Sequence, residues 1–377
     1  MITAPRIKKS LDLVLVGTFV LMLSLPTIYS LCRFQKNKSI DEHRGFADFP
    51  GFSSDASLLQ LYGKDLENYY DDHFGCRELL IACNLMIDRA LFREVGSEVL
   101  VGHDGWLYFL GENMINNFLG NTKSTDRSLK DEQIKLEKRR DLLAARGIKY
   151  LIVIAPNKES AYPQYLPAWL RQSFTTTKTD QFVNYMRLHS TVEVLDLRPV
   201  LRKAGEREPV FYKIDTHWNL MGGFIAYEAV LSKLSGQIPG LVPVAPTNFD
   251  IQRIHGTGGD IARFAGTPAL TDDNFYTFTP KAQLPMQKFY HLDTNQINWQ
   301  RFGNLPVPEP MILTITNSQC AGCVIVFGDS FAFALAPFLG YHFGKVSVLS
   351  QNFNLGDIDQ NKPILVIDER VERFFIQ

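Results

Sequence analysis

Cys323-Val324-Ile325-Val326-Phe327-Gly328-Asp329-Ser330-Phe331 is the stretch on which the fold turns. Five consecutive apolar residues are too few for a buried helix and fit a strand covered on both faces. Gly328 closes the strand, and a short helix is predicted after it. Strands of the same kind are predicted at 150–155, 192–197, 345–349 and 363–367. Helices are predicted over 131–146, 179–188 and 219–234. Short apolar strands alternating with helices define an α/β fold, a parallel sheet flanked by helices. In such a sheet the chemistry sits at the carboxyl ends of the strands.

The alternation fails between about 237 and 319, where Pro, Gly and Asn are frequent and aromatics are scattered. This insertion is expected to form part of a cap or a substrate groove. Further upstream, apolar residues recur at helical steps over 58–92, broken at Asp72-His73-Phe74-Gly75. Asp104-Gly105 within 101–109 predicts a hairpin. Residues 33–54 are polar and turn-rich, as a stalk would be.

At the N-terminus, Arg6, Lys8 and Lys9 precede an apolar run from Leu13 to Leu31. At ~1.5 Å rise per residue such a run just spans a ~30 Å hydrocarbon core. No small-x-small cleavage site follows, and Leu31 occupies the place of a small residue in a lipoprotein box before Cys32. The expected organisation is a transmembrane anchor at 1–32, a stalk and helical region at 33–98, and a catalytic domain at 99–377. A short basic tail inside and a large folded body outside place that body in the periplasm or cell exterior, on a single-pass anchor in a bacterial inner membrane.

The 377 residues are 45% hydrophobic and 21% charged, with a net charge of −1, which is a globular composition. No basic face offers itself to nucleic acid. The eight histidines form no H-x-x-x-H or H-E-x-x-H spacing. Neither metal nor cofactor is expected. Cys76 and Cys83 could share a helix face, and Cys320-Ala-Gly-Cys323 could form a disulfide in an oxidising compartment or be idle.

Two motifs carry chemistry. Ser330 follows a buried strand and precedes a helix, whose N-terminal N–H groups can stabilise an oxyanion. The bland alternative is that Asp329 or Ser330 caps the helix. Asp215-Thr216-His217-Trp218 places a carboxylate two residues before an imidazole, where it could hold the tautomer while the other nitrogen faces a serine. The bland alternative is a surface Asp and a His packed under Trp218. Asn157 follows a predicted strand end, where its amide could donate to an oxyanion or simply sit in a turn. Lys158 and Tyr162 are candidates for lining a groove. Arg370 and Glu372 are expected as an ion pair or as solvated charges, and His73 and His103 as structural. Trp299 could stack on a sugar ring, although core packing is the simpler expectation.

Several blocks in order resemble the alginate O-acetylase AlgJ/AlgX family, whose catalytic domain is SGNH-hydrolase-like. They are Asp72-His73-Phe74-Gly75-Cys76-Arg77, Gly105-Trp106-Leu107-Tyr108, Ala155-Pro156-Asn157-Lys158-Glu159, Asp215-Thr216-His217-Trp218, Gly328-Asp329-Ser330-Phe331 and Val371-Glu372-Arg373. The resemblance covers roughly residues 40 to 377. It implies Ser330 as nucleophile, His217 as base and Asp215 as its partner. It implies acetyl transfer to hydroxyls of an exopolysaccharide, beside a membrane-bound O-acyltransferase that supplies the acetyl group. The chain ends just after its last strand and so looks like the anchored AlgJ type, without the carbohydrate-binding module of AlgX-type members. Two rivals remain at this stage. One is a carbohydrate esterase using the same serine ester, and the other a non-catalytic polysaccharide-binding scaffold of a secretion complex.

Overall fold

The computed structural model describes residues 13–21, 24, 48–51, 59–75, 94–95, 99–111, 114–171, 175–256, 259–264, 273–282, 286–291 and 312–374. The chain divides into two compact units, Met1–Phe92 with Asn298–Leu305, and Arg93–Ile297 with Pro306–Gln377. In the first unit residues 13–21 are helical. Among the described residues no helix is long and apolar enough to cross a membrane. The rest of the apolar run lies outside them, as do Cys32, Cys76, Cys83 and Trp299. The helix Leu59–His73 ends with His73 Nδ1 2.8 Å from Tyr69 O and its ring stacked on Tyr69.

The second unit begins with a small antiparallel sheet of β1 (Glu94–Val95), β2 (Val99–Val101) and β3 (Leu107–Phe109). The last two form the expected hairpin, pairing Val101 with Leu107. A seven-stranded sheet follows. It contains β4 (Lys149–Ala155), β5 (Val194–Asp196), β8 (Met286–His291), β9 (Ile312–Asn317), β10 (Cys323–Phe327), β11 (Lys345–Leu349) and β12 (Leu365–Val371). The order is β5-β4-β12-β10-β11-β9-β8. The first five are parallel, and β9 and β8 are antiparallel. The sheet is therefore mixed, not purely parallel. The insertion supplies its two antiparallel strands, as well as a separate ribbon of β6 (Phe249–Gly256) and β7 (Asp273–Pro280). An antiparallel neighbour needs no crossover helix, so β9 could join the sheet edge directly from the insertion.

The period-2 alternation of the strands sorts their side chains into two cores. Leu151, Val153, Val324, Val326, Val346, Val348 and Ile367 pack on one face with Phe224, Tyr227 and Val230 of the helix Leu220–Leu234 and with the helix Ala332–Leu339. Tyr150, Ile152, Ile154, Ile325, Phe327 and Val366 pack on the other with Leu129, Leu136 and Leu143 of the helix Asp126–Ala144 and with Phe182 and Met186 of the helix Lys178–His189. Each such side chain buried contributes about 1.5–3 kcal/mol. Both long helices on the second face start on a threonine cap, Thr125 and Thr177, the latter in a full capping box with Asp180. The parallel strands all point the same way. Asn157 after β4, Ser330 after β10 and Glu372 after β12 therefore emerge at one edge.

Candidate active site

The segment from Val210 to Asn219 is a loop closed on itself. Asn219 N donates to Val210 O at 3.0 Å and Tyr212 N to His217 O at 3.3 Å. Asn219 caps the helix Leu220–Leu234, its Oδ1 accepting from Gly222 N at 3.0 Å. The helix lies tight against the helix after Ser330. A Cβ added at Gly223 would sit 2.6 Å from Ala334 O, so only glycine allows this approach. The loop and the serine turn are thereby brought together.

Asp215, His217 and Ser330 stand in line. Ser330 Oγ is 2.6 Å from His217 Nε2, and Asp215 Oδ1 is 2.6 Å from His217 Nδ1. Asp215 Oδ1 also accepts from His217 N at 2.9 Å, which locks the side chain beneath the ring. With Nδ1–H donating to the carboxylate, the Nε2 lone pair faces the hydroxyl. Burial works against a charged imidazole, but the hydrogen bond and charge of Asp215, aided by Asp260, raise His217 above its ordinary 6.5. Burial likewise opposes the Asp215 carboxylate, yet the His217 hydrogen bond and charge hold it well below the usual carboxylate range.

The serine turn is fixed by acidic neighbours. Asp329 Oδ1 accepts from Phe331 N at 2.9 Å, and its Oδ2 accepts from Val371 N at 2.9 Å. Asp329 thus holds the turn without capping the helix Ala332–Leu339, whose N-cap is Phe331, and the Ser330 hydroxyl is left to the imidazole. A Cβ at Gly328 would meet Glu369 Oε2 at 2.7 Å and Ala332 Cβ at 3.0 Å, so the turn is closely packed there. Among the described residues the Ser330 N–H makes no hydrogen bond. An N–H at such a turn could donate to an oxyanion.

The other expected site residues are held by partners of their own. Asn157 is buried, its Nδ2 donating to Met114 Sδ at 3.5 Å and its Oδ1 accepting from Arg373 at 3.4 Å. It lines a narrow cleft together with Glu159, Ser160, Thr177, Glu372 and Arg373. Lys158 and Tyr162, expected to line a groove, are both buried. Lys158 Nζ donates to Leu107 O at 2.9 Å and to Lys213 O at 3.0 Å, and Tyr162 Oη accepts from Val210 N at 2.8 Å. They brace the loop from within. Arg370 pairs with Asp368 at 3.0 Å, and Glu372 with Arg198 at 3.2 Å, so both belong to ion pairs, though not to one another. Cys320 and Cys323 are free thiols.

Sequence reading missed Asp260 and Asp273, both from the insertion. Asp273 Oδ2 accepts from Ile214 N at 3.0 Å, and Asp260 lies 3.6 Å from His217 Nδ1. No local pattern marks either residue. Asp215, His217 and Asp260 have ligand atoms within 4.8 Å of one another, but the imidazole is already committed to Asp215 and Ser330.

A three-layer α/β sheet with a serine, a histidine and an aspartate at its carboxyl edge defines an SGNH-hydrolase-like protein. Residues 99–288, half of the chain, match the family described as "SGNH hydrolase-like domain, acetyltransferase AlgX", and the chain belongs to that family. The match includes Asp215, His217 and Asp260 and ends before Ser330. A protein of Pseudomonas aeruginosa named "Probable alginate O-acetylase AlgJ" is 29% identical over 237 residues, 59% of this chain and 56% of the relative. One of Azotobacter vinelandii with the same name is 24% identical over 278 residues, 70% of this chain and 63% of the relative. The chain thus spans little more than half the length of these relatives. Among solved structures, PatB1 of Bacillus cereus with a sulfonyl adduct shares the fold at a TM-score of 0.54 and 16% identity, over 74% of this chain and 99% of that one.

Proposed function

We propose that the protein is an O-acetyltransferase that acetylates hydroxyls of an extracytoplasmic polysaccharide through an acetyl ester of Ser330. The observation that carries this reading is the unbroken line Asp215–His217–Ser330, with 2.6 Å at each step. Membership of an acetyltransferase family supports the group transferred.

In the first step Ser330 Oγ attacks the donor's acetyl carbonyl while His217 Nε2 takes the hydroxyl proton. The oxyanion forms against the Ser330 N–H. The bond to the donor's leaving oxygen then breaks, and the imidazolium returns the proton to it. In the second step Nε2 takes the proton of a sugar hydroxyl. The sugar oxygen attacks the acetyl carbonyl, the bond to Ser330 Oγ breaks, and the proton returns to the serine. Asp215 remains ionised throughout and steadies the imidazolium.

The apolar run from Leu13 to Leu31 supports an N-terminal inner-membrane anchor ahead of a periplasmic domain. In that setting a membrane-bound O-acyltransferase would supply the acetyl group. The test exposes the full chain to an activated aryl acetate, with and without oligosaccharide, and reads protein and sugar masses. An adduct on Ser330 that moves to sugar is expected. An adduct lost only to water would make the protein an esterase, and acetylation unaltered by Ser330→Ala would end the reading.

A further inference from the structure

Asp260 directs its polar groups at the loop that carries the base. Its Oδ1 accepts from Thr216 N at 2.6 Å and from Ile261 N at 2.7 Å. Its Oδ2 accepts from Thr216 Oγ1 at 2.5 Å and lies 3.6 Å from His217 Nδ1. Its own N–H donates to Asp215 Oδ2 at 3.0 Å. It therefore touches Asp215 and Thr216 while facing the same imidazole nitrogen that Asp215 engages. The side chains are largely buried, at 13% exposure for Asp260 and 15% for His217.

Two carboxylates at such close range repel each other, and burial makes the repulsion stronger. A purely structural bracket for Thr216 needs only acceptors, which an uncharged amide or hydroxyl provides in part. A second carboxylate is offset here by the cation that forms on the imidazole when it takes a proton. We propose that Asp260 is a positioning residue for His217 and a reserve partner for its imidazolium, able to receive Nδ1–H when Asp215 is neutralised.

The proposal rests on the catalytic reading of Ser330 and His217. Three charged groups face the imidazole. Asp215 and Asp260 favour its protonation, and Arg373, from the turn after β12, opposes it. Burial and then the charge of Asp215 raise Asp260 above the ordinary carboxylate value. Neutralising Asp215 removes that charge, so Asp260 ionises more readily in the variant where it is needed.

The experiment measures kcat, KM and their pH dependence on an activated aryl acetate with the full chain. The variants are Ser330→Ala, Asp260→Asn, Asp260→Glu, Asp215→Asn and the double Asp215→Asn/Asp260→Asn. Folding is checked by circular dichroism. Asp260→Asn is expected to lower kcat about tenfold at unchanged KM, well short of the ~10⁴-fold loss when a triad loses its direct carboxylate. Its acid limb should move to lower pH, because one negative charge near the imidazolium is gone. Asp260→Glu should restore the limb. The double variant should fall further below Asp215→Asn than Asp260→Asn falls below the wild type, by more than about tenfold. A limb unmoved in Asp260→Asn, or a double variant no further below Asp215→Asn than Asp260→Asn is below the wild type, would overturn the proposal. Should Asp260→Asn fail to fold, Asp260→Glu decides instead, and a limb displaced from that of the wild type overturns the proposal. Turnover absent from the wild type, or undiminished in Ser330→Ala, would overturn the catalytic reading itself and this proposal with it.

Discussion

Trp218, the residue after His217, donates its indole N–H to the carbonyl of Phe331, the residue after Ser330, at 3.0 Å. The bond joins two segments 113 residues apart. Trp218 is 2% exposed, and its ring meets Phe331 edge-on at 5.2 Å. Trp218→Phe keeps an aromatic ring but removes one of two donors to the Phe331 carbonyl, which keeps Ala334 N at 3.2 Å. The expected cost is about 0.5–1.5 kcal/mol of stability, read as a lower urea midpoint. If base and nucleophile are held together by this bond, kcat falls about tenfold at unchanged KM, since a small misplacement costs rate rather than binding. A loss of stability with kcat unchanged would show that the bond serves only the core.

A base must be neutral to accept the serine proton. His217 is raised above 6.5, because Asp215 and Asp260 outweigh the burial that opposes its charge. Activity should therefore rise with pH through a midpoint above 6.5. The same pairing makes the native state bind a proton more tightly than the unfolded chain does. Its contribution to stability is full below the unfolded value and is lost as pH rises through the folded one. The rate profile of Ser330 acylation checks the first statement. A midpoint at or below 6.5 would mean that Asp215 is not an effective partner.

The strand Cys323–Phe327 and its Gly-Asp-Ser turn were legible because a doubly covered strand must be apolar along its length. The same logic located β4, β11 and β12. The edge strand β9 also carries a signal, since Leu313 and Ile315 are buried between partly exposed threonines. That alternation was masked by the turn-rich residues around it. Asp215, His217 and Ser330 were readable because each motif sits where a strand or loop meets a helix. Asp260 was not readable, as its relation to Thr216 spans 44 residues and depends on how the insertion folds back. Lys158 misled for a physical reason. A lysine in sequence reads as exposed, and it is buried here because two carbonyls accept from it.

Those two carbonyls allow a test. Lys158 holds Leu107 O and Lys213 O together, and Lys213 lies two residues before Asp215. Burial lowers it from 10.5 to about 8, although Asp215, Asp260 and Asp273 pull the other way. The unfolded chain therefore binds the proton more tightly, and this group's contribution to stability improves as pH rises from about 8 towards 10.5. Lys158→Met removes that slope and takes the Nζ donor from both carbonyls, of which Lys213 O keeps Leu107 N at 2.9 Å, at a cost of about 1–3 kcal/mol. Urea titrations on both sides of this window check it. A slope that survives the substitution would assign the effect to another group.

Glu369 supplies the opposite case beside the turn that carries Ser330. It is fully buried on β12, with Oε2 accepting from Asp329 N at 3.2 Å and Oε1 without a partner among the described residues. Burial first, and then the Asp329 charge, raise it well above 4.5. The native state thus keeps a proton that the unfolded chain releases, and the group's effect on stability worsens as pH climbs above 4.5, by up to about 1.4 kcal/mol per pH unit. Glu369→Gln keeps the shape and an acceptor for Asp329 N, and carries no titrating proton. The variant should gain on the wild type as pH rises, and the gap in urea stability should be wider at about pH 8 than at about pH 5. Gly328 and Asp329 stay where they were, so Ser330 acylation should persist. A gap that does not change with pH would mean that Glu369 titrates alike in both states. A variant that is stable but no longer acylated would instead place the carboxyl proton in the chemistry of the turn.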